Sequence, residues 1–211
     1  MNSIAIFGGT FDPIHHGHVQ TSLSIQSHFN FDLYYFLPCK IPVLKSAAYA
    51  NNQQRIDMIE LAIKNHPEFK LDLREIKRDS PSYMVETLTS FREENKEASL
   101  TLILGYDAFL SLPQWHHWKE IIKLANLLII NRNQFSSVSM SESIKELLIR
   151  HKTERKTDIL SKQAGFIYLY DAGNYEISST HIREALKKNK QISAQLPEEV
   201  AQYIKQWALY Q

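Results

Sequence analysis

Short apolar runs alternate along the chain with longer segments in which apolar residues return every three or four positions, the pattern of βαβ units folding onto a mostly parallel sheet. Ser3 to Phe7, Leu33 to Leu37, Leu100 to Leu104, Leu127 to Ile130 and Phe166 to Tyr170 read as strands, with a shorter one at Lys70 to Leu73. Between them, Ile56, Ile59 and Ile63 follow the candidate caps Asn51 and Asn52, and Pro67 stops that helix. Tyr83 to Glu94 places Val85, Leu88 and Phe91 on one side, and Pro197 to Trp207 begins with a proline suited to a first turn. The stretch Ser136 to Lys162 is polar, with one helix around Ile144 to Ile149. No linker, repeat or low-complexity tract divides the chain, so a single doubly wound α/β domain over residues 1–211 is expected, with its ligand crevice beyond the carboxyl ends of the strands.

That expectation gives meaning to residues that follow strands. After Ile4-Ala5-Ile6-Phe7 the chain turns through Gly8-Gly9-Thr10-Phe11-Asp12-Pro13-Ile14 into His15-His16-Gly17-His18. Glycines at a strand end let a phosphate approach the backbone, and the following helix points its positive end at the anion. His15 and His18, three apart, share a face of that first turn and can donate hydrogen bonds as charge develops on a phosphate. Pro38 to Lys45 follows the second strand, Gly105-Tyr106-Asp107 follows Leu100 to Leu104, and Arg132 follows Leu127 to Ile130. Glycine and aspartate are also ordinary turn residues. The segment Ser178-Ser179-Thr180-His181-Ile182-Arg183 follows the last strand, with hydroxyls at a helix start and an arginine one turn in. Hydroxyls there cap the helix, worth about 1 kcal/mol. A cation at that end is out of place unless an anion compensates it.

Composition narrows the picture by exclusion. Lys plus Arg number 24 against 23 Asp plus Glu, so no global field draws the protein to nucleic acid or an anionic membrane, and any anion must be held locally. The single cysteine, Cys39, excludes an internal disulfide and a cysteine zinc site and suits a reducing compartment. The longest apolar candidate, Leu124 to Ile130, is far short of a membrane span and is interrupted by Asn126. A soluble cytoplasmic protein is expected, its oligomeric state left open.

The Gly9-Thr10-Phe11-Asp12-Pro13 block followed by His15-His16-Gly17-His18 resembles the nucleotidylyltransferases that carry a His-x-Gly-His motif, whose fold is Rossmann-like. With Ser80-Pro81-Ser82-Tyr83, Gly105-Tyr106-Asp107, Trp115 and Ile177 to Arg183 in the same order, the whole chain is similar to the bacterial nicotinate-nucleotide adenylyltransferases. The resemblance implies adenylyl transfer from ATP, with Mg²⁺ carried in by the nucleotide, to nicotinate mononucleotide, and no covalent intermediate. It implies that His15, His18 and Arg183 are catalytic, that Gly8, Gly9, Thr10, Gly105, Asp107, Ser179 and Thr180 bind ATP with Arg183, and that Asp107 accepts the ribose hydroxyls. For the mononucleotide it implies Lys45, Ser82, Tyr83, Met84, Trp115, His116 and Arg132, with Trp115 facing the pyridine ring and backbone amides receiving its carboxylate. Trp118, by contrast, is expected to pack inward.

Two departures stand out. The family's Pro-Pro-His-Lys type sequence is here Pro42-Val43-Leu44-Lys45, leaving Lys45, with Lys40 as a candidate to compensate, and its Arg-Pro-Gly-like turn is here Arg132-Asn133-Gln134. Another phosphorylated acceptor, nicotinamide mononucleotide included, and a non-catalytic nucleotide sensor are the alternatives. A sensor has no use for both imidazoles. A tRNA synthetase shares the histidine motif, but this chain lacks the length, the basic surface and a Lys-Met-Ser-Lys-Ser-like loop.

Overall fold

The computed structural model describes residues 1–44, 47–130, 139–173, 175, 177–192 and 194–211. Its strands are β1 (Ser3–Gly9), β2 (Leu33–Pro38), β3 (Phe69–Leu71), β4 (Ser99–Gly105), β5 (Asn126–Ile130), β6 (Lys152–Thr153) and β7 (Ile167–Tyr170). They form one sheet in the order β3-β2-β1-β4-β5-β7-β6. Every pairing among the described residues is parallel. The helices are α1 (His16–Phe29), α2 (Asn52–Ile63), α3 (Arg74–Lys77), α4 (Met84–Glu94), α5 (Tyr106–Ser111), α6 (Trp118–Leu124), α7 (Glu142–His151), α8 (Lys156–Ser161), α9 (Ser179–Lys187) and α10 (Glu198–Gln206).

Alternation along the central strands builds a core on each face, as a sheet buried on both sides requires. On β1, Ala5 and Phe7 join the cluster with Ile25, Phe29, Met58 and Val200, while Ile4 and Ile6 join the opposite one with Leu88, Phe91 and Ile121. On β5, Leu128 and Ile130 face the first and Leu127 and Ile129 the second.

Asn126, which interrupts the apolar run, is a fully buried member of β5. Its amide donates to Lys162 O at 2.8 Å and Ser99 Oγ at 3.1 Å, and its Oδ1 accepts from Phe166 N–H at 3.0 Å. Ser99 Oγ lies 2.7 Å from both Ile159 O and Lys162 O, so polar residues in the sheet satisfy the carbonyls that end α8.

The polar stretch 136–162 holds more structure than one helix. Beside α7, longer than expected, it contains α8 and the edge strand β6. Both are too short to show a period. The capping reading of α2 is precise at Asn51, which exchanges hydrogen bonds with Gln54 at 2.9 Å each way, while Pro197 sits at the N-cap of α10 rather than inside its first turn. No helix among the described residues is long and apolar enough to cross a membrane.

The sheet also fixes where a ligand can enter. β1 runs two residues past the expected end, pairing with β2 as far as Gly9↔Pro38, and β4 pairs with β5 as far as Gly105↔Ile130. Between β1 and β4 the pairing stops earlier, at Phe7↔Ile103. The two central strands therefore part at their carboxyl ends, at the point where the strand order reverses.

Candidate active site

Gly8 and Gly9 line this opening as the last residues of β1, and the chain then enters α1 through His15. His15 occupies the N-cap with an extended backbone, and its ring stacks on that of His18 with centroids 3.7 Å apart and planes 25° from parallel. His15 N–H donates to His18 Nδ1 at 3.3 Å, which requires an unprotonated Nδ1 and leaves the proton of a neutral ring on Nε2. Phe11 meets the His18 ring edge-on at 5.1 Å, so backbone, stacking and an aromatic wall fix its orientation.

The two imidazoles differ in surroundings. His15 is 5% exposed and His18 intermediate. Burial first, and His16 second, lower the His15 pKa from 6.5 to about 4, so the ring is neutral at ordinary pH. Its Nδ1 is buried without a partner, an expense tolerated where a ring's position matters more than its satisfaction. Gly17 permits this packing, because a Cβ there would stand 3.0 Å from both Nδ1 and Cε1 of His15.

The loop that carries Thr10 is held from beneath by a residue that sequence reasoning passed over. Arg55, on α2, has no exposed surface. It donates to Thr10 O, Cys39 O and Asn52 Oδ1, each at 2.7 Å, so one guanidinium ties the loops after β1 and β2 together. A signal existed, since Arg55 stands one helical turn before Ile59 on the face that Met58 and Ala62 also bury. Cys39 Sγ lies 3.6 Å from Thr10 Oγ1, and burial pushes its thiol pKa up, away from nucleophilic character.

On the other side, α9 docks its N-terminus against the turn before α1. Ser178 is the N-cap, accepting from His181 N–H at 3.2 Å, while Ser179 Oγ donates to Pro13 O at 2.9 Å. The Ser179 hydroxyl proton is therefore committed within the protein, and what that residue offers a ligand is its backbone N–H and oxygen. Arg183 donates from Nη1 to Asp12 O at 2.7 Å and from Nη2 to Thr180 Oγ1 at 3.2 Å, and Nη1 stands 3.9 Å from Asp12 Oδ2. Part of the anion that this cation called for is thus internal. Asp12, quoted in the motif but given no task, is a buried hub whose carboxylate accepts from Tyr49 N–H, Ala50 N–H and Tyr210 O–H.

Of the residues expected to hold the second substrate, Ser82, Tyr83, Met84 and His116 lie together. Met84 Cε would lie 3.1 Å from a Cβ on Gly8, and the Tyr83 ring lies 4.3 Å from that of His116, joining the Ser82 to Val85 segment to the segment after Trp115. Ser82 Oγ accepts from Lys40 N–H at 3.0 Å and Ile41 N–H at 3.4 Å, bracing the loop after β2. Beneath it Glu75 is buried and accepts from Thr87 Oγ1 at 2.7 Å, and burial raises its carboxyl pKa.

Trp115 and Trp118 are both half-buried against the same core cluster, so packing does not single out one of them. Lys40 Nζ is engaged at the rim by Arg78 O at 2.7 Å and Asp79 Oδ1 at 3.1 Å rather than turned towards a phosphate. Lys45 and Arg132 lie outside the described residues. Across the opening, Asp107 is exposed in the first turn of α5, its Oδ1 2.6 Å from where a Gly105 Cβ would be. Gly105 is what lets the carboxylate fold back over the end of β4.

Comparison with known proteins decides the family. The profile of the cytidylyltransferase-like family matches residues 6–185. A relative from Legionella pneumophila (strain Paris), named "Probable nicotinate-nucleotide adenylyltransferase", is 54% identical over 211 residues and the full length of both chains. The chain belongs to the nicotinate-nucleotide adenylyltransferase family. A member from Methylococcus capsulatus is 35% identical over 98% of this chain and 99% of its own. The fold agrees with that of the Plasmodium falciparum nicotinic acid mononucleotide adenylyltransferase complexed with NaAD, with a TM-score of 0.72 at 22% identity, covering 100% of this chain and 98% of that one.

Proposed function

We infer that the protein transfers the adenylyl group of ATP to nicotinate mononucleotide, giving nicotinate adenine dinucleotide and pyrophosphate. The observation that carries this reading is the convergence of two helix N-termini, those of α1 and α9, on one turn at the mouth between β1 and β4, with the stacked histidines between them. Such a site suits a polyphosphate. An oxygen of the mononucleotide 5′-phosphate attacks the α-phosphorus, the new P–O bond forms, and the bond to the β-phosphate oxygen breaks with its electron pair leaving on pyrophosphate.

Alignment and charge stabilisation supply the catalysis. His18 presents Nε2–H to the α-phosphate, with His15 beside it as a neutral ring. Gly8, Gly9 and Thr10 bring the backbone against the triphosphate, and Thr180, the Ser179 backbone and the Arg183 N–H groups directed away from Asp12 hold its far end. Asp107 accepts the ribose hydroxyls. Trp115 stacks on the pyridine ring while the backbone amides of Met84 and His116 receive its carboxylate, those of Ser82 and Tyr83 being bonded to Ile41 O and Pro81 O, and Lys45 and Arg132 meet the mononucleotide phosphate. Among the described residues of the site, none is assigned the role of a covalent nucleophile.

The described residues include no group of three His, Cys, Asp or Glu side chains that could hold a metal. Mg²⁺ bound with the nucleotide would be held through its phosphates and would neutralise their charge.

Catalytic efficiency with each mononucleotide, at fixed ATP and Mg²⁺, tests the reading. The nicotinate form is expected to be preferred by orders of magnitude, because the amide of the other presents NH₂ where an acceptor is needed and leaves donors unpaired. Equal use of both refutes the carboxylate site.

A further inference from the structure

Tyr210, which follows α10, is only 7% exposed. Its hydroxyl lies 2.7 Å from Asp12 Oδ1. The Asp12 carboxylate, 3% exposed, also accepts Tyr49 N–H at 2.8 Å on Oδ2 and Ala50 N–H at 3.1 Å on Oδ1. Three donors make a buried carboxylate tolerable without a contact ion pair. Burial and this neighbouring carboxylate push the Tyr210 phenol well above its ordinary range, so it remains a donor.

Arg183 completes the arrangement. Its Nη1 donates to the Asp12 carbonyl yet stops 3.9 Å from the carboxylate Oδ2, and its guanidinium lies over the Tyr49 ring at 4.9 Å. Asp12 thus sets both the cation, through its carbonyl, and the aromatic beneath it, through its carboxylate. A carboxylate short of one donor pulls harder on the nearest cation.

We propose that Tyr210 is a positioning residue for Arg183, acting through Asp12: by occupying Asp12 Oδ1 it keeps the carboxylate from drawing the guanidinium into a contact pair and away from the nucleotide. The inference rests on the reading of Arg183 as a triphosphate ligand. Its consequence is that Tyr210 sets affinity for ATP while touching no substrate.

Tyr210→Phe removes one hydroxyl and keeps the ring. It is expected to raise KM for ATP at least about tenfold, the low end for one hydrogen bond to a charged group, with KM for the mononucleotide unchanged. Deletion of Tyr210 and Gln211 removes the same hydroxyl by a second route and is expected to give the same ATP-specific rise. Because Tyr210 works through Arg183, Tyr210→Phe combined with Arg183→Ala should be no worse for ATP than Arg183→Ala alone. A Tyr210→Phe enzyme whose melting temperature falls while KM for ATP stays put overturns the proposal, as do penalties that multiply in the double variant. An Arg183→Ala variant with unchanged KM for ATP overturns the reading of Arg183 and the proposal with it, whereas an ATP-specific loss there beside a silent Tyr210→Phe overturns the positioning role alone.

Discussion

The rings of His15 and His18 stack at 3.7 Å, and the backbone N–H of His15 is bonded to Nδ1 of His18. One residue of the pair therefore sets the orientation and tautomer of the other, and the spacing of three in the motif is what brings a cap position opposite the third residue of the helix.

His18 is held for one task, so His18→Ala is expected to keep the fold and ATP binding while lowering kcat at least roughly a hundredfold, as loss of one preorganised charge stabiliser does elsewhere. Steady-state kinetics beside a melting curve checks this. An unchanged kcat in a folded variant removes His18 from the chemistry.

His15 makes stability depend on pH. Its folded pKa of about 4 lies below the ordinary 6.5, so between those values the unfolded chain binds more protons and stability rises with pH. The contribution, up to roughly 3 kcal/mol, is complete above pH 6.5 and lost as pH falls towards 4. Urea titrations across that window should show the slope, and His15→Gln should flatten it.

Gly17 has no side chain because the His15 ring occupies that space. Gly17→Ala forces the ring aside by a few tenths of an ångström or more, and its effect on kcat should exceed its effect on melting temperature. A variant with full kcat contradicts the packing account.

Arg55 is different in kind, because it holds backbone and meets no candidate ligand. Arg55→Met leaves the Thr10 and Cys39 carbonyls without their donor, and the loss of stability should be about 3 kcal/mol or more by chemical denaturation.

Trp115→Ala should weaken both mononucleotides alike through lost stacking while leaving the preference between them mostly intact. A silent substitution returns this tryptophan to the core that it already half joins.

The fold was readable where burial is two-sided and long: β1, β2, β4 and β5 are mostly apolar runs, with Thr101 inside β4 and Asn126 at the start of β5 as buried polar members, and α1, α2, α4 and α10 carry a period or a cap. β6 and α8, at two and six residues, carry neither. Within the site, residues that follow strands were legible because parallel topology puts all those ends on one edge. The supports were not, for they depend on distant partners. Arg55 looks like one more helix-surface cation until its burial is seen, Asp12 like a turn residue until Tyr49, Ala50 and Tyr210 converge on it, and Ser179 like a phosphate donor until Pro13 takes its proton.

The central claim is adenylyl transfer by direct displacement at the α-phosphorus, and product analysis tests it most directly. With ATP labelled in the α-phosphate, Mg²⁺ and nicotinate mononucleotide, the label should appear in nicotinate adenine dinucleotide, one equivalent for each pyrophosphate released, and no label should stay on the protein. Pyrophosphate or AMP formed without dinucleotide, or a labelled protein that chases into product, would contradict it.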